Sequence, residues 1–332
     1  MLKSRPAKTC ELDKIHTWLI KESTVVFAPI LTKLVNASLS SGILPAAHKL
    51  AIIRPRLKKP DLDPGDPSSY RPVSNVTFLS KFVERAVYVQ LEKFLSSNRL
   101  LPPTQSGFRR AHSTETAVLK VYSDAVMASD KGEVTCLLLL DYSAAFDTVD
   151  HDILLTILED SFGITGTALD WIRSFLVGRS QIFQVGQDKS SWVIVLYGLP
   201  QGTIIGSLMY ILYTADLESL IEKHGVRMHL YADDTQLYDH SNVNNLHQSI
   251  ATLEACLEDI VQWSSQRRLK LNPTKTELIW LNRAHAIGKL SQQPRLRMHS
   301  NEVPLSSSSS VRDLGLIIDS GLTLATHVSL VA

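Results

Sequence analysis

The sequence predicts an α+β fold, a sheet lying under helices, and three stretches carry that reading. Residues 134–140 are an unbroken apolar run, as a strand covered on both faces requires. Residues 228–231 and 235–238 read as a hairpin with Asp233-Asp234 at its tip. Residues 244–269 set Leu246, Ile250, Leu253, Leu257, Ile260 and Trp263 at helical spacing. Strand-type and helix-type segments interleave without an internal repeat, which gives the class.

The remaining elements follow in chain order. Residues 12–40 have helical periodicity (Leu12, Ile15, Leu19, then Val26, Ile30, Leu34), with Pro29 as a break or a start. Residues 51–59 form a short strand that leaves into a basic loop, and 60–67 are loop by their prolines and glycine. A helix over 79–95 turns Phe82, Ala86, Val89 and Phe94 inward. Gln105-Ser106-Gly107-Phe108-Arg109-Arg110 is a basic turn, and Ser113 or Thr114 caps a helix running to about 128. Asp150 caps another through Ile153, Leu154 and Ile157. Residues 182–185 and 192–196 pair as antiparallel strands, and a long helix covers 203–223. Residues 278–281 form a strand. Five serines at 306–310 are a flexible spacer before a last strand over 314–318.

Composition narrows the class. The 332 residues are 44% hydrophobic and 20% charged, an ordinary globular balance with room for two lobes. Cys10, Cys136 and Cys256 lie far apart with no C-x-x-C pair, which argues against a zinc site or a disulfide framework and suits a reducing compartment. No signal-type N-terminus is expected, and the apolar stretch at 204–213 is too short to span a bilayer. The expectation is therefore an intracellular protein, neither secreted nor membrane-bound, with nucleus and cytoplasm left open. The net charge of +1 hides a split: residues 1–120 hold 19 Lys+Arg against 9 Asp+Glu, and the rest hold 15 against 24. A basic part attracts polyanions, and an acidic part attracts cations. Arg54, Arg56, Lys58, Lys59, Arg71, Arg109 and Arg110 could line a polyanion track, though each alone is an ordinary solvated charge.

The acids suggest chemistry. Asp141 emerges at the end of the leucine run, where it either serves a site or caps the next turn. Asp147, Asp150 and Asp152 read as caps and surface charge. Asp233 and Asp234 are adjacent carboxylates that repel unless a cation sits between them, and a solvated turn is the other reading. Carboxylates borne on separate strands can hold two divalent ions about 3.5–4 Å apart and so drive in-line phosphoryl transfer. Mg²⁺ suits such oxygen ligands. Gly198-Leu199-Pro200-Gln201-Gly202-Thr203 opens a helix whose first turns contain Gly202, Gly206 and Ser207, small enough for a ligand to approach and with a helix start that favours phosphate. A structural turn explains that segment equally well. Phe146 is by default a core aromatic, and Lys275 an exposed lysine.

The segment Leu140-Asp141-Tyr142-Ser143-Ala144-Ala145-Phe146-Asp147-Thr148-Val149-Asp150-His151, then Gly198-Leu199-Pro200-Gln201-Gly202, then Tyr231-Ala232-Asp233-Asp234 resembles the three catalytic motifs of reverse transcriptases of non-LTR (LINE-type) retrotransposons. Tyr70-Arg71-Pro72-Val73-Ser74 and Gln105-Ser106-Gly107-Phe108-Arg109 are similar to that family's fingers segments. Leu271-Asn272-Pro273-Thr274-Lys275-Thr276-Glu277 and Arg312-Asp313-Leu314-Gly315 resemble its later palm motifs. The resemblance is ordered and runs from about residue 9 to 328.

It implies a right-hand polymerase of fingers and palm, with an antiparallel palm sheet packed on helices and the thumb largely missing. Residues 1–40 would be a helical lead-in and 41–319 the reverse transcriptase domain, with fingers about 41–130 and palm about 131–319. Residues 320–332 would be a truncated tail toward the thumb. Asp141, Asp233 and Asp234 would hold two Mg²⁺ ions, with Mn²⁺ as a substitute. Phe146 would lie under the incoming sugar and reject a 2′-hydroxyl. Gln201 and Gly202 would touch the template and nascent pair, Arg71 and Lys81 would meet the triphosphate, and Lys275 would protonate pyrophosphate. Gly315 would lie near the primer grip. The implied partners are an RNA template, a DNA primer and dNTPs, with an endonuclease supplied by another chain and no membrane. Leu199, Thr203, Ile205, Ser207 and Tyr142 depart from the usual pattern, and Ile205 and Ser207 bear on where the helix starts. An inactive, truncated remnant that binds nucleic acid is the alternative; an RNA-copying RNA polymerase would need a smaller residue than Phe146.

Overall fold

The computed structural model describes residues 9–283, 295–298, 301–303 and 309–332. The chain forms two compact units, one from residues up to 100 together with 146–213, the other from 101–145 together with 214–332. The first unit opens with α1 (Thr17–Glu22), α2 (Thr24–Ser41), β1 (Leu50–Leu57), β2 (Tyr70–Asn75) and α3 (Phe78–Ser97). The second opens with α4 (Thr114–Asp130), β3 (Val134–Leu140) and β4 (Tyr142–Ser143). The chain returns to the first unit for α5 (His151–Asp160), α6 (Gly166–Leu176), β5 (Arg179–Val185), β6 (Asp188–Lys189), β7 (Val193–Val195) and α7 (Gly206–Tyr213). It ends in the second with α8 (Leu217–Glu222), β8 (Arg227–Tyr231), β9 (Asp234–Ser241), α9 (Leu246–Gln266), β10 (Lys270–Leu271) and β11 (Glu277–Leu281). Beyond these lie β12 (Arg297–Met298), β13 (Asn301–Glu302), β14 (Ser310–Asp313), β15 (Leu316–Asp319) and α10 (Ala325–Val331).

The second unit is built on an antiparallel sheet of order β11-β3-β9-β8. The leucine run is β3, paired on both edges and buried as its unbroken apolarity requires. Val118, Val121 and Ala125 of α4 pack with Leu137, Tyr238, Ile279 and Leu281 of the sheet and with Val311 and Ile318 of the β14–β15 hairpin. Each such aliphatic side chain contributes about 1.5–3 kcal/mol by leaving water. Ser113 caps α4 in a reciprocal capping box with Thr116, which resolves the choice between Ser113 and Thr114.

The first unit has a mixed sheet of order β2-β1-β5-β6, with β7 also on β5. Strands β1 and β2 are antiparallel, and β1 and β5 parallel. Asp150 caps α5 by accepting from the Asp152 and Ile153 amides, as its position implied.

Several expectations are corrected. Pro29 neither breaks nor starts a helix: it lies inside α2, and the break falls at Ser23. The amide that Pro29 lacks would have met the carbonyl of Val25, an exposed residue, so water can satisfy that acceptor. By length and composition alone α2 could cross a membrane, yet it packs against α3 and α6. On α3 the buried stripe is Phe78, Phe82, Val83, Leu91 and Leu95, while Val89 and Phe94 are exposed. The strand pairing of 192–196 begins further back, at Arg179↔Val195, and Gln184 and Val185 pair with β6 instead. The helix expected over 203–223 is α7 and α8, divided where the chain passes between units. There Asp216 is drawn to α9, accepting from Trp263 Nε1 at 3.1 Å and pairing with Arg267. The strand expected at 314–318 is two strands around Leu314-Gly315, both at positive φ. Of the serine spacer, 306–308 lie outside the described residues, and Ser310 begins β14.

Candidate catalytic site

The second unit gathers the carboxylates on its sheet. The β3–β9 ladder runs to Leu140↔Thr235, so Asp141 leaves β3 opposite the start of β9, which is Asp234. The hairpin tip is Ala232-Asp233 rather than Asp233-Asp234, because Tyr231 pairs with Asp234. Ala232 takes φ 59°, the positive value that primed hairpin turns demand at their first central position. Asp141 and Asp234 line one cavity of about 420 Å³ with Lys275, Thr274, Arg312 and Asp313.

Asp141 has one carboxylate oxygen, Oδ2, buried without a hydrogen-bond partner. Lys275 Nζ stands 3.7 Å from it. The turn that delivers Lys275 hangs on Asp141 itself: Asn272 N–H donates to Asp141 O at 2.8 Å, and Asn272 O accepts from the Lys275 and Thr276 amides. Lys275 is thus a neighbour of Asp141 by construction, with an exposed ammonium. Asp313, which sequence reasoning did not single out, is buried and accepts from Gln236 Nε2 at 2.7 Å. Burial pushes its carboxyl up to about 6, against the Gln236 hydrogen bond that lowers it. The strand pattern gave a weak signal: an acid two residues beyond buried Val311 in β14 faces inward by alternation.

The first unit holds the other expected residues. Gln201 Nε2 donates to both oxygens of Asp147, at 3.2 and 3.3 Å, and Gln201 O accepts from Ser74 N–H at 2.9 Å. Asp147, read from sequence as surface charge, is therefore half-buried and bound; burial raises its carboxyl and Gln201 opposes that. The glycines answer to the chain's own packing. A Cβ on Gly198 would meet Asp147 O at 2.8 Å, one on Gly206 would meet Thr203 Oγ1 at 2.6 Å, and Gly202 sits at φ 95° beside Ser74 O. The helix begins at Gly206, and the anion just before it is the protein's own: Ile204 N–H donates to Glu84 Oε2 at 2.7 Å. Glu84 is fully buried, also accepts from Ser80 Oγ at 2.9 Å, and faces the charge of buried Arg179. Ser80 and Glu84, one turn apart on the apolar stripe of α3, were its sequence signal. Phe146 stacks on Tyr210 with ring centroids 4.6 Å apart. Arg71 is exposed on β2 directly opposite Arg56, and Lys81 is half-buried in the first turn of α3. Of the polyanion track, Arg54 pairs with Glu11, and Arg109 is turned inward, donating to Pro102 O and Gln105 O.

A hard divalent cation suits this donor set. Asp141 presents a buried oxygen that accepts no hydrogen bond and has only the Lys275 ammonium, 3.7 Å away, for a partner, and Asp234 shares its cavity. Among the described residues no three or more His, Cys, Asp and Glu side chains stand close enough together to hold a metal ion among themselves. Mg²⁺ is usually held by one or two carboxylates completed by substrate phosphates and water, which is what an open pair of aspartates allows.

Residues 57–318 match the family described as reverse transcriptase (RNA-dependent DNA polymerase). The chain is 29% identical to the probable RNA-directed DNA polymerase from transposon BS of Drosophila melanogaster, over 98% of this chain and 36% of that one. It is 27% identical to the RNA-directed DNA polymerase from the mobile element jockey of the same species, over 99% and 35%. The chain spans about a third of the length of these curated relatives. Among solved structures, apo telomerase from Candida tropicalis, truncated from its C-terminal domain, aligns with a TM-score of 0.56 at 12% identity, covering 85% of this chain and 55% of that one. That likeness bears out the expected α+β fold of fingers and palm.

Proposed function

This chain belongs to the reverse transcriptase family, and we propose that it is an RNA-directed DNA polymerase extending a DNA primer on an RNA template. The observation that carries the reading is Oδ2 of Asp141, buried without a hydrogen bond and 3.7 Å from the Lys275 ammonium, on the same cavity as Asp234. The primer 3′-hydroxyl attacks the α-phosphate of a dNTP and pyrophosphate leaves. Asp141, Asp233 and Asp234 would hold two Mg²⁺ ions, for which Mn²⁺ can substitute, and ions so held stabilise the attacking and leaving oxygens.

The protein's own part is positioning. Asp147 and Ser74 fix Gln201 from both ends, its side chain and its carbonyl, leaving Gly202 against the β2 backbone to meet the template pair. Arg71 stands opposite Arg56, and like charges directly opposite in a ladder are destabilising without a counter-anion, so a triphosphate or nucleic-acid phosphate would relieve them. Lys81 would join Arg71 at the triphosphate. The Lys275 ammonium, tethered beside Asp141, would protonate the departing pyrophosphate. Phe146, fixed by its stack on Tyr210, would exclude a 2′-hydroxyl. The separate free cysteines suit a reducing intracellular setting, nucleus or cytoplasm.

The test is extension of oligo(dT) on poly(rA) with and without Mg²⁺. Metal-dependent synthesis is expected; binding of the primer–template without synthesis would leave only a nucleic-acid-binding remnant. Phe146→Ala should admit ribonucleotides, and unchanged sugar selectivity would remove Phe146 from the gate.

A further inference from the structure

The turn that carries Asp233 is strained, and something must hold it. Ala232 at φ 59° is an alanine in the left-handed region, which costs roughly 1–2 kcal/mol relative to ordinary backbone. Such residues persist where their surroundings over-determine them, and they cluster at functional sites. Here the surroundings are residues 104–107 of the same unit. Leu230 N–H donates to Thr104 O at 3.0 Å and Ser106 N–H to Leu230 O at 2.8 Å, so this segment runs parallel along β8. The Ser106 hydroxyl bonds His229 Nε2 at 2.9 Å.

Gln105 then grips the turn with both ends of its amide. Oε1 accepts from Ala232 N–H at 2.9 Å and from Gly107 N–H at 2.7 Å, while Nε2 donates to Ala232 O at 3.2 Å. A neutral carboxamide is the side chain that offers an acceptor and a donor to the two sides of one residue in this way. Gln105 is 1% exposed. Gly107 completes the fit: a Cβ there would lie 2.2 Å from Ala232 N and 2.9 Å from Ala232 Cα.

We propose that Gln105 is a positioning residue, whose carboxamide locks the Ala232-Asp233 turn in the shape that aims the Asp233 carboxylate at a bound divalent ion. This rests on Asp233 being a metal ligand, as in the function proposed above. It gives each residue of the Gln105-Ser106-Gly107 motif a physical reason to be there. The glutamine clasps the turn, the serine ties the segment to His229, and the glycine lets the turn lie against it. Gln105→Met keeps the length and loses all three hydrogen bonds. Gln105→Glu keeps the acceptor for both amides and loses the donor to Ala232 O.

The experiment measures Mn²⁺ binding by electron paramagnetic resonance, amide hydrogen exchange at 230–234, and primer extension, on the wild-type chain and both variants. Supporting partners of metal ligands are worth about 10- to 100-fold in metal affinity or activity. Gln105→Met is expected to lose that much in Mn²⁺ affinity and in kcat, with faster exchange at Ala232 and a dNTP KM within about threefold, since a positioning loss falls on metal affinity and turnover. Gln105→Glu should fall between it and wild type, and it carries the same comparison if Gln105→Met does not fold. Wild-type Mn²⁺ affinity in a folded Gln105→Met, or a dNTP KM that rises with kcat unchanged, would overturn the proposal, as would a wild-type chain that binds no Mn²⁺. A wild type that binds Mn²⁺ with the expected variant order but synthesises nothing would sink the polymerase reading and leave the clasp standing.

Discussion

Asp141 and Asp147 are six residues apart in one motif, yet their carboxylates live in opposite circumstances. Both oxygens of Asp147 are engaged by the Gln201 amide, so its hydrogen-bonding capacity is used within the protein. Asp141 has a buried oxygen with no such partner and an ammonium 3.7 Å away. Buried acceptors left unmade cost about 1–3 kcal/mol, so an unmatched one is retained where an outside group completes it. Asp147 belongs to the architecture of the turn, and Asp141 is the one that, in the function proposed above, would meet a metal ion. Glu84 and Asp313 extend the contrast: the first is engaged by Ser80 and Ile204, the second only half-satisfied by Gln236.

The largest expected effect separates ligand-facing acids from the others. Asp233→Asn should abolish primer extension, a loss of roughly a thousandfold or more given the several kcal/mol that metal neutralisation supplies. Its thermal unfolding should stay close to wild type. Glu84→Ala should do the reverse in kind, costing about 3 kcal/mol in urea unfolding, because it strips two hydrogen bonds and leaves buried Arg179 without its counter-charge. A wild-type unfolding midpoint would remove Glu84 from the engaged class.

Asp313 gives a pH signature. Its carboxyl is raised to about 6 by burial, above the ordinary 3.8, so the native state keeps a proton that the unfolded chain has released. Stability from this group is greatest below about 4 and declines through about 6, by up to about 3 kcal/mol. Asp313→Asn should flatten that slope and stabilise the chain at pH 7, its new amide able to donate to Gln236 Oε1, which has no partner. A slope unchanged in the variant would reject this assignment. The smallest effect is expected at Asp147→Ala, about 1–2 kcal/mol for the two lost Gln201 contacts, read by urea unfolding.

What the sequence made legible follows from periodicity and from local chemistry. The leucine run of β3, the α9 stripe and the Asp150 cap are each specified within a few residues, and each formed as expected. The Pro29 and 203–223 expectations failed where tertiary contacts decided: α2 continues through Pro29 because the carbonyl it leaves without an amide belongs to exposed Val25, and Asp216 is pulled out of line by Trp263 and Arg267. Asp141 and Asp234 were visible as acids at strand ends, and the sheet register faces them across one cavity. The long-range pairings of Gln105, Glu84 and Asp147 were not, because their partners lie 127, 120 and 54 residues away, beyond any short-range pattern. At the Gly-rich turn the structural alternative has support: Gly198 and Gly206 make room for Asp147 and Thr203.

The account turns on Asp141 facing a metal and Asp147 facing the protein, so the most direct measurement is Mg²⁺-dependent primer extension by Asp141→Asn and Asp147→Asn side by side. Asparagine preserves shape in both. Asp141→Asn should lose roughly a thousandfold or more, while Asp147→Asn, whose amide oxygen still accepts from Gln201, should stay within about tenfold of wild type. Equal losses in the two, or near-normal extension by Asp141→Asn, would contradict it.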